Sequence, residues 1–288
     1  MEYILHIIIM LSIYVILVLS ANLPVGMASL LTMCQAAFYG IGAYIGTYFL
    51  MQFNLPFVVL ALIVMVATGL FSLLVSFASV KLKDDYFILA TLGFQMIVYT
   101  ILYNWTDVTR GPYGIPGIPT IKLFGVLPLS GVWGYAVLAV VLAVVVGLLF
   151  YAIKKSPYGR VLRAMRHDEQ AVKALGRNTT LFKMETFFLS AAFSGLAGVI
   201  YASYVSYIDP TSFTLDESIF IISALFIGGI GNIKGPVLGA LFVVLLPELL
   251  LFVGLPDAIA ANMRQIIYGL VLVIIMFVRP QGLLGEKA

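Results

Sequence analysis

Charged residues are scarce in this chain. Only 10% of its 288 residues are Asp, Glu, Lys or Arg, whereas a soluble domain carries about 25%. Hydrophobic residues make up 62% of the sequence, and the mean hydropathy is +1.10. The composition therefore argues against a soluble globular protein and predicts an integral membrane protein. We expect no nucleic acid partner.

Cysteine and histidine are almost missing too. Cys34 is the single cysteine, so no intrachain disulfide can form, and its apolar surroundings indicate a buried, unreactive thiol. The two histidines, His6 and His167, lie far apart in the sequence. Neither a metal-ligand cluster nor a nucleophile with a neighbouring base is evident. We therefore predict no metal, no cofactor and no catalytic residue.

The sequence also lacks the phosphate-binding loop G-x-x-x-x-G-K-[ST] of many ATPases. Its one Lys-Ser pair, Lys155-Ser156, follows Phe-Tyr-Ala-Ile-Lys and has no glycine before it. If ATP drives this protein, another chain must bind the ATP.

Long apolar runs fill most of the chain. A bilayer core about 30 Å thick is crossed by roughly 20 apolar helical residues, so these runs predict an all-α, polytopic membrane protein with about eight or nine transmembrane segments in one domain, residues 1–288. The segment Ser218–Ile230 is short and ends in GGIGNIKGP, which favours a re-entrant or broken helix. The predicted segments are Tyr3–Leu23, Met27–Leu50, Pro56–Val80, Tyr86–Tyr103, Val132–Ile153, Met184–Tyr207, Ser218–Ile230, Pro236–Gly254 and Gln265–Val278.

Lysine and arginine set the predicted orientation. They concentrate in residues 154–183, which the positive-inside rule places in the cytoplasm. Residues 104–131 then form an external loop, and all Lys and Arg except Arg110, Lys122 and Arg264 fall on the cytoplasmic side. Alternation places the N-terminus outside. The N-terminal run has no basic region before it, so we expect a retained helix and no cleaved signal.

The basic stretch itself predicts one cytoplasmic amphipathic helix from about Gly159 to Leu175, with Ser156-Pro157 at its start and Gly176 just past its end. At 100° per residue, its apolar face holds Val161, Met165, Val172 and Leu175. Its basic side holds Arg163, Arg166, Lys173 and Arg177. Two interpretations stay open. The apolar face docks into a groove of a partner protein, or the helix lies on anionic membrane lipid.

Polar residues interrupt several apolar segments. Asn22, Pro24 and Gly26 break the first one, and a broken helix can present its N–H dipoles to a substrate carboxylate. We regard eight residues as candidates for lining a substrate path: Asn22, Gly26, Thr32, Gln35, Thr91, Gln95, Gly228 and Gly229. The alternative is a plain interhelical turn at Asn-Leu-Pro, with the Gln and Thr residues bonding neighbouring helices.

Several ordered motifs carry a resemblance to a known family. They are YFILATLGFQMIVYTILYNWTDVTRGPYGI, GRVLRAMRHDEQAVKALGRN, FFLSAAFSGLAGVIYASYVSYIDPTSF and ALFIGGIGNIKGPVLGALFVVLLPELL. Together they resemble the branched-chain amino acid permease subunits of ATP-driven (ABC) importers, and specifically the M-type (LivM-like) member of the permease pair. The resemblance runs from about residue 15 to the C-terminus.

The resemblance implies a permease of the bacterial inner membrane that pairs with a second, H-type permease. It also implies two ATPase subunits and an external solute-binding protein. In that family the cytoplasmic helix inserts into a cleft of the ATPase. Carried over to this chain, the ATPase-coupling residues are Gly159, Arg160, Arg163, Arg166, Asp168, Glu169, Ala171, Ala174 and Gly176.

The cargo is less sharply indicated than the family. Where relatives usually carry Gly-Tyr-Ala-Gly and then Ser-x-Gly, this chain has GMASLLTMCQAAF. Branched-chain or related small amino acids are the expected cargo, with urea, short amides or another small polar solute as the alternative. A rival class, an ATPase-independent secondary transporter, would need an ionisable residue deep in a span. Its candidates are Glu248 and Glu185, which counting places at helix ends.

Overall fold

The structure is a computed structural model that describes residues 2–53, 55–79, 82, 84–122, 131–252, 263, 266–267, 269–270, 273–274, 277 and 282–284. Its α-helices are α1 (Glu2–Asn22), α2 (Gln35–Phe53), α3 (Phe57–Ser79), α4 (Asp84–Asn104), α5 (Thr106–Thr109), α6 (Val132–Lys155), α7 (Pro157–His167), α8 (Glu169–Ala174), α9 (Thr179–Val205), α10 (Leu215–Gly228) and α11 (Lys234–Phe252). A π-helical turn, Leu23–Met27, continues α1. Two short strands, β1 (Ile115–Pro116) and β2 (Tyr207–Ile208), pair antiparallel.

Within the described residues, five helices are long and apolar enough to cross a membrane. They are Glu2–Met27, Phe57–Ser79, Asp85–Asn104, Val132–Lys155 and Thr179–Val205, and Lys234–Leu246 is a shorter apolar helix. The all-α prediction is confirmed, while the count of eight or nine spans stays a prediction. Half of the predicted segment Gln265–Val278 lies outside the described residues, and the seven residues described within it are helical.

Helix α9 lies at the centre of the helix bundle, and α1 runs antiparallel to it. His6 near the start of α1 contacts the Tyr204 hydroxyl near the end of α9, 2.7 Å from Nδ1. Ser20 near the end of α1 lies 2.8 Å from Ser194 in the middle of α9. The start of α1 and the strand pair β1–β2 therefore share one end of the bundle. Helices α7 and α8, which precede α9, lie at the other end.

Small residues bring α2 and α9 into backbone contact. A Cβ atom on Gly42 would overlap the backbone of Gly195, and a Cβ atom on Gly198 would overlap the carbonyl of Tyr39. Ser190, Ser194, Gly198 and Ala202 of α9 are all buried. A ridge of small residues lets membrane helices pack this closely, and the structure places the ridge there.

The first break in the chain is not where the sequence suggests. The helix continues through Pro24 as the π-turn, and residues 29–34 are non-helical, with Ser29 in the left-handed region at φ 53°. The interruption predicted at Asn22–Gly26 is therefore a change from α-helix to π-turn within one apolar span, and the prediction of a plain interhelical turn there is wrong. Proline removes one backbone donor and crowds the preceding turn, and a π-turn absorbs this within a continuous helix.

The short segment near the C-terminal third is a helix of 14 residues, α10. It forms a tight hairpin with α11, in which Gly239 packs directly on the Ala224 carbonyl. Ser218 in its first turn accepts a hydrogen bond from the Ala36 N–H at the start of α2, at 2.9 Å. The starts of two helices thus meet inside the bundle.

Candidate functional site

The basic stretch folds as two helices. α7 begins with Pro157, after Ser156, whose hydroxyl accepts a hydrogen bond from the Gly159 N–H at 3.2 Å. It ends at His167, and Asp168 is extended with φ −154° and ψ 101°. The carboxylate of Asp168 then caps α8 by accepting from the Ala171 N–H at 3.0 Å. The prediction of one helix from Gly159 to Leu175 is wrong, because aspartate favours a helix N-cap over a helix interior.

The end of α8 is as predicted. Gly176 has φ +78°, the left-handed conformation in which glycine usually ends a helix. Its N–H donates to the Lys173 carbonyl at 2.9 Å, and the Arg177 N–H donates to the Val172 carbonyl at 3.3 Å. These two bonds form a Schellman motif, which fixes where the chain turns toward α9.

The apolar face differs from the helical-wheel prediction. Gly159, Leu162, Met165 and Val172 are buried, whereas Val161 is only partly buried. Leu175, predicted on the same apolar face, is 81% exposed and lies just past the end of α8. Six of the predicted coupling residues are also exposed: Arg160, Arg163, Asp168, Ala171, Ala174 and Gly176. Leu175 thus projects beside Ala171 and Ala174 as an uncovered apolar side chain.

The Glu169 side chain is 32% exposed, and its carboxylate is bonded to three neighbouring residues. Its carboxylate accepts from Lys183 of α9 at 2.8 Å and from the Thr179 hydroxyl at 2.9 Å, and it pairs with Lys173 at 3.0 Å. Burial alone would raise the pKa of Glu169, but the hydrogen bonds from these three groups outweigh it and lower the pKa to about 2. The carboxylate therefore stays charged and fixes α8 to α9.

Arg166 does not point away from the bundle with the other basic residues. Its Nη1 donates a hydrogen bond of 2.8 Å to the carbonyl oxygen of Gly26, in the π-turn after α1. The side chain is partly buried. The prediction that Arg166 lies on the basic side with the other cations is therefore wrong. Arg166 follows Leu162 by four residues and Gly159 by seven, and this helical spacing places it beside these two buried residues.

Asn22 ties the π-turn to the hairpin of α10 and α11. Its Oδ1 accepts from the Gly231 N–H at 2.9 Å, and its Nδ2 donates to the Asn232 carbonyl at 2.7 Å. Gly26 fills the space between the Asn22 side chain and the Gly231 backbone, where a Cβ atom has no room. These two predicted path residues thus make one packed contact.

The other polar candidates form a buried hydrogen-bond network around the start of α2. Gln95 accepts from the Ala37 N–H at 2.7 Å and donates to the Phe213 carbonyl at 2.9 Å. Gln35 donates to Ser190 and accepts from Ser194, both at 2.9 Å. Thr91 accepts from the Met33 N–H at 3.1 Å, and Thr32 lies 3.1 Å from the Cys34 sulfur. In this conformation these residues bond neighbouring segments, and a path-lining role stays a prediction.

Gly228 and Gly229 lie at the end of α10 beside the C-terminal segment. The Ile227 and Gly228 carbonyls accept from the N–H groups of Leu283 and Leu284, at 3.0 and 2.9 Å. Gly229 has φ +112°, which lets the backbone turn toward Gly231. These bonds satisfy the end of α10, and nothing in the sequence pattern of α10 indicates them.

The two acidic candidates of the rival class lie at opposite ends of the bundle. Glu248 accepts a hydrogen bond from the Tyr3 hydroxyl, near the start of α1, and Glu185 is exposed in the second turn of α9. A third acidic residue, which the sequence pattern does not single out, lies in α10. Glu217, in the first turn of α10, is hydrogen-bonded to Tyr14 of α1. Within the described residues, no three His, Cys, Asp or Glu side chains group as metal ligands.

A comparison with protein families gives the decisive observation. The profile of the family described as "Branched-chain amino acid transport system / permease component" matches residues 3–276. The chain belongs to this permease family. As a permease with several apolar helices, it is a multi-pass membrane protein and a transport subunit.

Individual relatives of the permease agree with this assignment. It is 33% identical to the high-affinity branched-chain amino acid transport system permease protein LivM of Salmonella typhimurium, over 94% of this chain and 68% of that protein. It is also 33% identical to the probable LivM of Methanocaldococcus jannaschii, over 73% of this chain and 62% of that protein. The autoinducer 2 import system permease protein LsrC of Escherichia coli is 27% identical, over 91% and 72%. No solved structure matches the permease.

Proposed function

We propose that this permease is one of two membrane subunits of an ATP-driven importer for branched-chain or related small amino acids. It pairs with a second, H-type permease in a bacterial inner membrane. Two ATPase subunits bind at the α7–α8 end, and an external solute-binding protein delivers cargo at the opposite end. LivM relatives named for branched-chain amino acid transport support this cargo.

The observation that carries the proposal is the α7–α8 segment. It lies at one end of the bundle, presents Ala171, Ala174 and Leu175 to solvent, and is fixed to the bundle through Glu169 and Arg166. A partner protein gains by covering an exposed apolar side chain such as Leu175. Anionic lipid headgroups would disfavour the exposed carboxylate of Asp168.

The docking surface has a direct test. We expect Leu175→Asp to reduce the ATPase that copurifies with the permease by roughly tenfold or more, as for other buried apolar anchors. Ala164→Asp, on the exposed side of α7, is the matched control and should leave copurification unchanged. Equal recovery of ATPase with both variants would reject docking through α8.

The cargo and the energy source are tested together by uptake in proteoliposomes that contain the purified complex and its binding protein. We expect uptake of labelled leucine to require ATP hydrolysis and to stop with a non-hydrolysable ATP analogue. Uptake of labelled urea in place of leucine would support the alternative cargo. The LsrC relative, named for autoinducer 2 import, is the reason to include unrelated small solutes in the same assay. Uptake driven by an ion gradient without ATP would favour a secondary transporter.

A further inference from the structure

The hydrogen bond between Arg166 and Gly26 joins two elements that are far apart in sequence. Arg166 lies in the last turn of α7, directly before the joint at Asp168. Its acceptor lies 140 residues earlier, at the end of the first membrane helix. Helix α7 is therefore attached to the inner end of α1 as well as to α6, which it follows in the chain.

The acceptor is a natural position for a cation. The last carbonyls of a helix lack intrahelical donors and carry partial negative charge. In the π-turn, the Pro24 carbonyl accepts from the Ala28 and Leu30 N–H groups, and the Gly26 carbonyl accepts from Arg166. The Arg166 guanidinium, which belongs to α7, thus supplies a donor for a carbonyl at the distorted end of the first helix.

The π-turn connects the hydrogen bond of Arg166 to the turn between α10 and α11. Asn22 binds the Gly231 N–H and the Asn232 carbonyl, and Gly26 leaves no space between Asn22 and Gly231. A displacement of Gly26 must therefore move Asn22 or the α10–α11 turn, since packed interiors do not compress. The chain after the π-turn leads through residues 28–34 into Gln35 and the buried network at the start of α2.

A second attachment lies on the other side of the joint. Glu169 fixes α8 to Lys183 and Thr179 of α9. Asp168, the extended residue between α7 and α8, separates the two attachments. Movement of α7 is therefore transmitted to the end of α1 through Arg166, and movement of α8 is transmitted to α9 through Glu169.

From this geometry we infer that Arg166 is a positioning residue that transmits movement of α7 to the π-turn and to residues 28–34. The inference rests on the proposed function, because it needs a partner that moves α7. Without the hydrogen bond, the ATPase would still bind at α8, but the inner end of α1 would no longer follow it.

The test compares Arg166→Gln with Arg177→Gln in the purified complex. Arg177 is an exposed arginine of the same segment, so both changes remove one charge. We expect both complexes to retain the ATPase. Arg166→Gln should lower transport per ATP hydrolysed by about tenfold, within the usual range of coupling between sites. Arg177→Gln should leave this ratio unchanged, and Arg166→Lys, which keeps a cationic donor, should restore part of it.

A local readout separates this role from a loss of stability. Ser29 is exposed two residues after the π-turn, and the one native cysteine of this chain, Cys34, is fully buried. Ser29→Cys therefore gives this subunit one accessible thiol, and its alkylation is measured on this subunit by mass spectrometry. We expect its alkylation rate to differ between the nucleotide-free and the ATP-bound complex. The difference should disappear when Arg166→Gln is added and persist when Arg177→Gln is added.

The outcomes distinguish a failure of the role of Arg166 from a failure of the proposed function. An ATP response of Ser29→Cys that persists with Arg166→Gln, or no response in the otherwise native chain, overturns the inference and leaves the importer assignment in place. Absence of any copurifying ATPase overturns the proposed function itself, and the inference with it.

Discussion

At the residue scale, some glycines of this permease lie in contacts where a larger side chain does not fit. Gly26 is the clearest case, because Asn22 and the Gly231 backbone occupy the space that a Cβ atom would need. Gly93 of α4 is the opposite case, with no atom within 4 Å of the position of its missing Cβ. The same residue type therefore has different consequences at these two sites.

We predict that Gly26→Ala lowers thermal stability in detergent and Gly93→Ala does not. The first change forces Asn22 or the α10–α11 turn to move, and overpacking of this kind costs about 1–3 kcal/mol. The second replaces a helical glycine by alanine, which favours the helix by up to about 1 kcal/mol. Differential scanning fluorimetry of the two purified variants checks this. An unchanged melting temperature for Gly26→Ala would mean that the contact with Gly231 yields easily.

A second residue-scale prediction concerns the buried network. Gln95→Leu leaves the Ala37 N–H and the Phe213 carbonyl without the partners they have now, and each unsatisfied buried group costs about 1–3 kcal/mol. We expect a clear loss of thermal stability. Gln52→Leu, at an exposed position at the end of α2, is the control. If the two variants melted together, Gln95 would face water in the membrane-embedded protein, as expected of a residue that lines a path.

The sequence identifies these residues but not their partners. Asn22, Gln35 and Gln95 stand out because polar side chains in apolar helices are costly unless they are bonded. Their partners lie 58 to 210 residues away in the chain. Helical periodicity shows which residues share a face of one helix, but it does not show which residues of distant helices make contact. For this reason the same residues suggest a substrate path in the sequence and a packed network in the structure.

At the element scale, the attachment of α8 depends on Glu169. We predict that Glu169→Gln raises amide exchange in α8 by roughly tenfold, since a hydrogen bond to a charged group contributes about 1.5 kcal/mol or more. Glu185→Gln, which changes an exposed carboxylate of α9, should leave exchange in α8 unchanged. Hydrogen exchange with mass spectrometry measures both. Equal protection of α8 in the two variants would show that the Schellman motif and Val172 hold α8 without Glu169.

The pH dependence of this attachment follows from the lowered pKa of Glu169, about 2 in the folded protein against about 4.3 for an ordinary glutamate. A group with a lowered folded pKa adds stability that is complete above the unfolded pKa and is lost as the pH falls toward the folded pKa. We therefore expect protection of α8 to be constant from pH 8 to about 5 and to fall between about pH 4 and 2. A decline that begins near pH 6 would contradict this assignment.

The sequence predicts some helix boundaries well and misses others, since the predicted segment Met27–Leu50 begins only at Gln35 as α2 and the predicted Met184–Tyr207 begins at Thr179 as α9. Apolar runs such as Pro56–Val80 and Val132–Ile153 become α3 and α6 with ends shifted by two residues or fewer. The sequence pattern does not predict the π-turn at Pro24 or the joint at Asp168. Each depends on a single residue, since Pro24 lacks a backbone donor and the Asp168 side chain caps a new helix. The Asp168 joint did carry a signal, since aspartate is a preferred N-cap.

At the scale of the whole molecule, the two ends of the bundle differ in chemistry. One end carries α7 and α8 with most of the described lysines and arginines, and the other carries the β1–β2 pair and the start of α1. The sequence predicts this separation through the positive-inside rule. The structure adds that both α1 and α9 connect the ends, through Arg166 at Gly26 and through Glu169 at Lys183.

We propose that this permease works only with an ATPase that binds at the α7–α8 end. The most direct measurement is purification of the tagged permease from its native membrane in mild detergent, with mass spectrometry of the copurifying chains. We expect a phosphate-loop ATPase and a second permease in a fixed ratio. Recovery of the permease alone, repeated after chemical crosslinking, would contradict it.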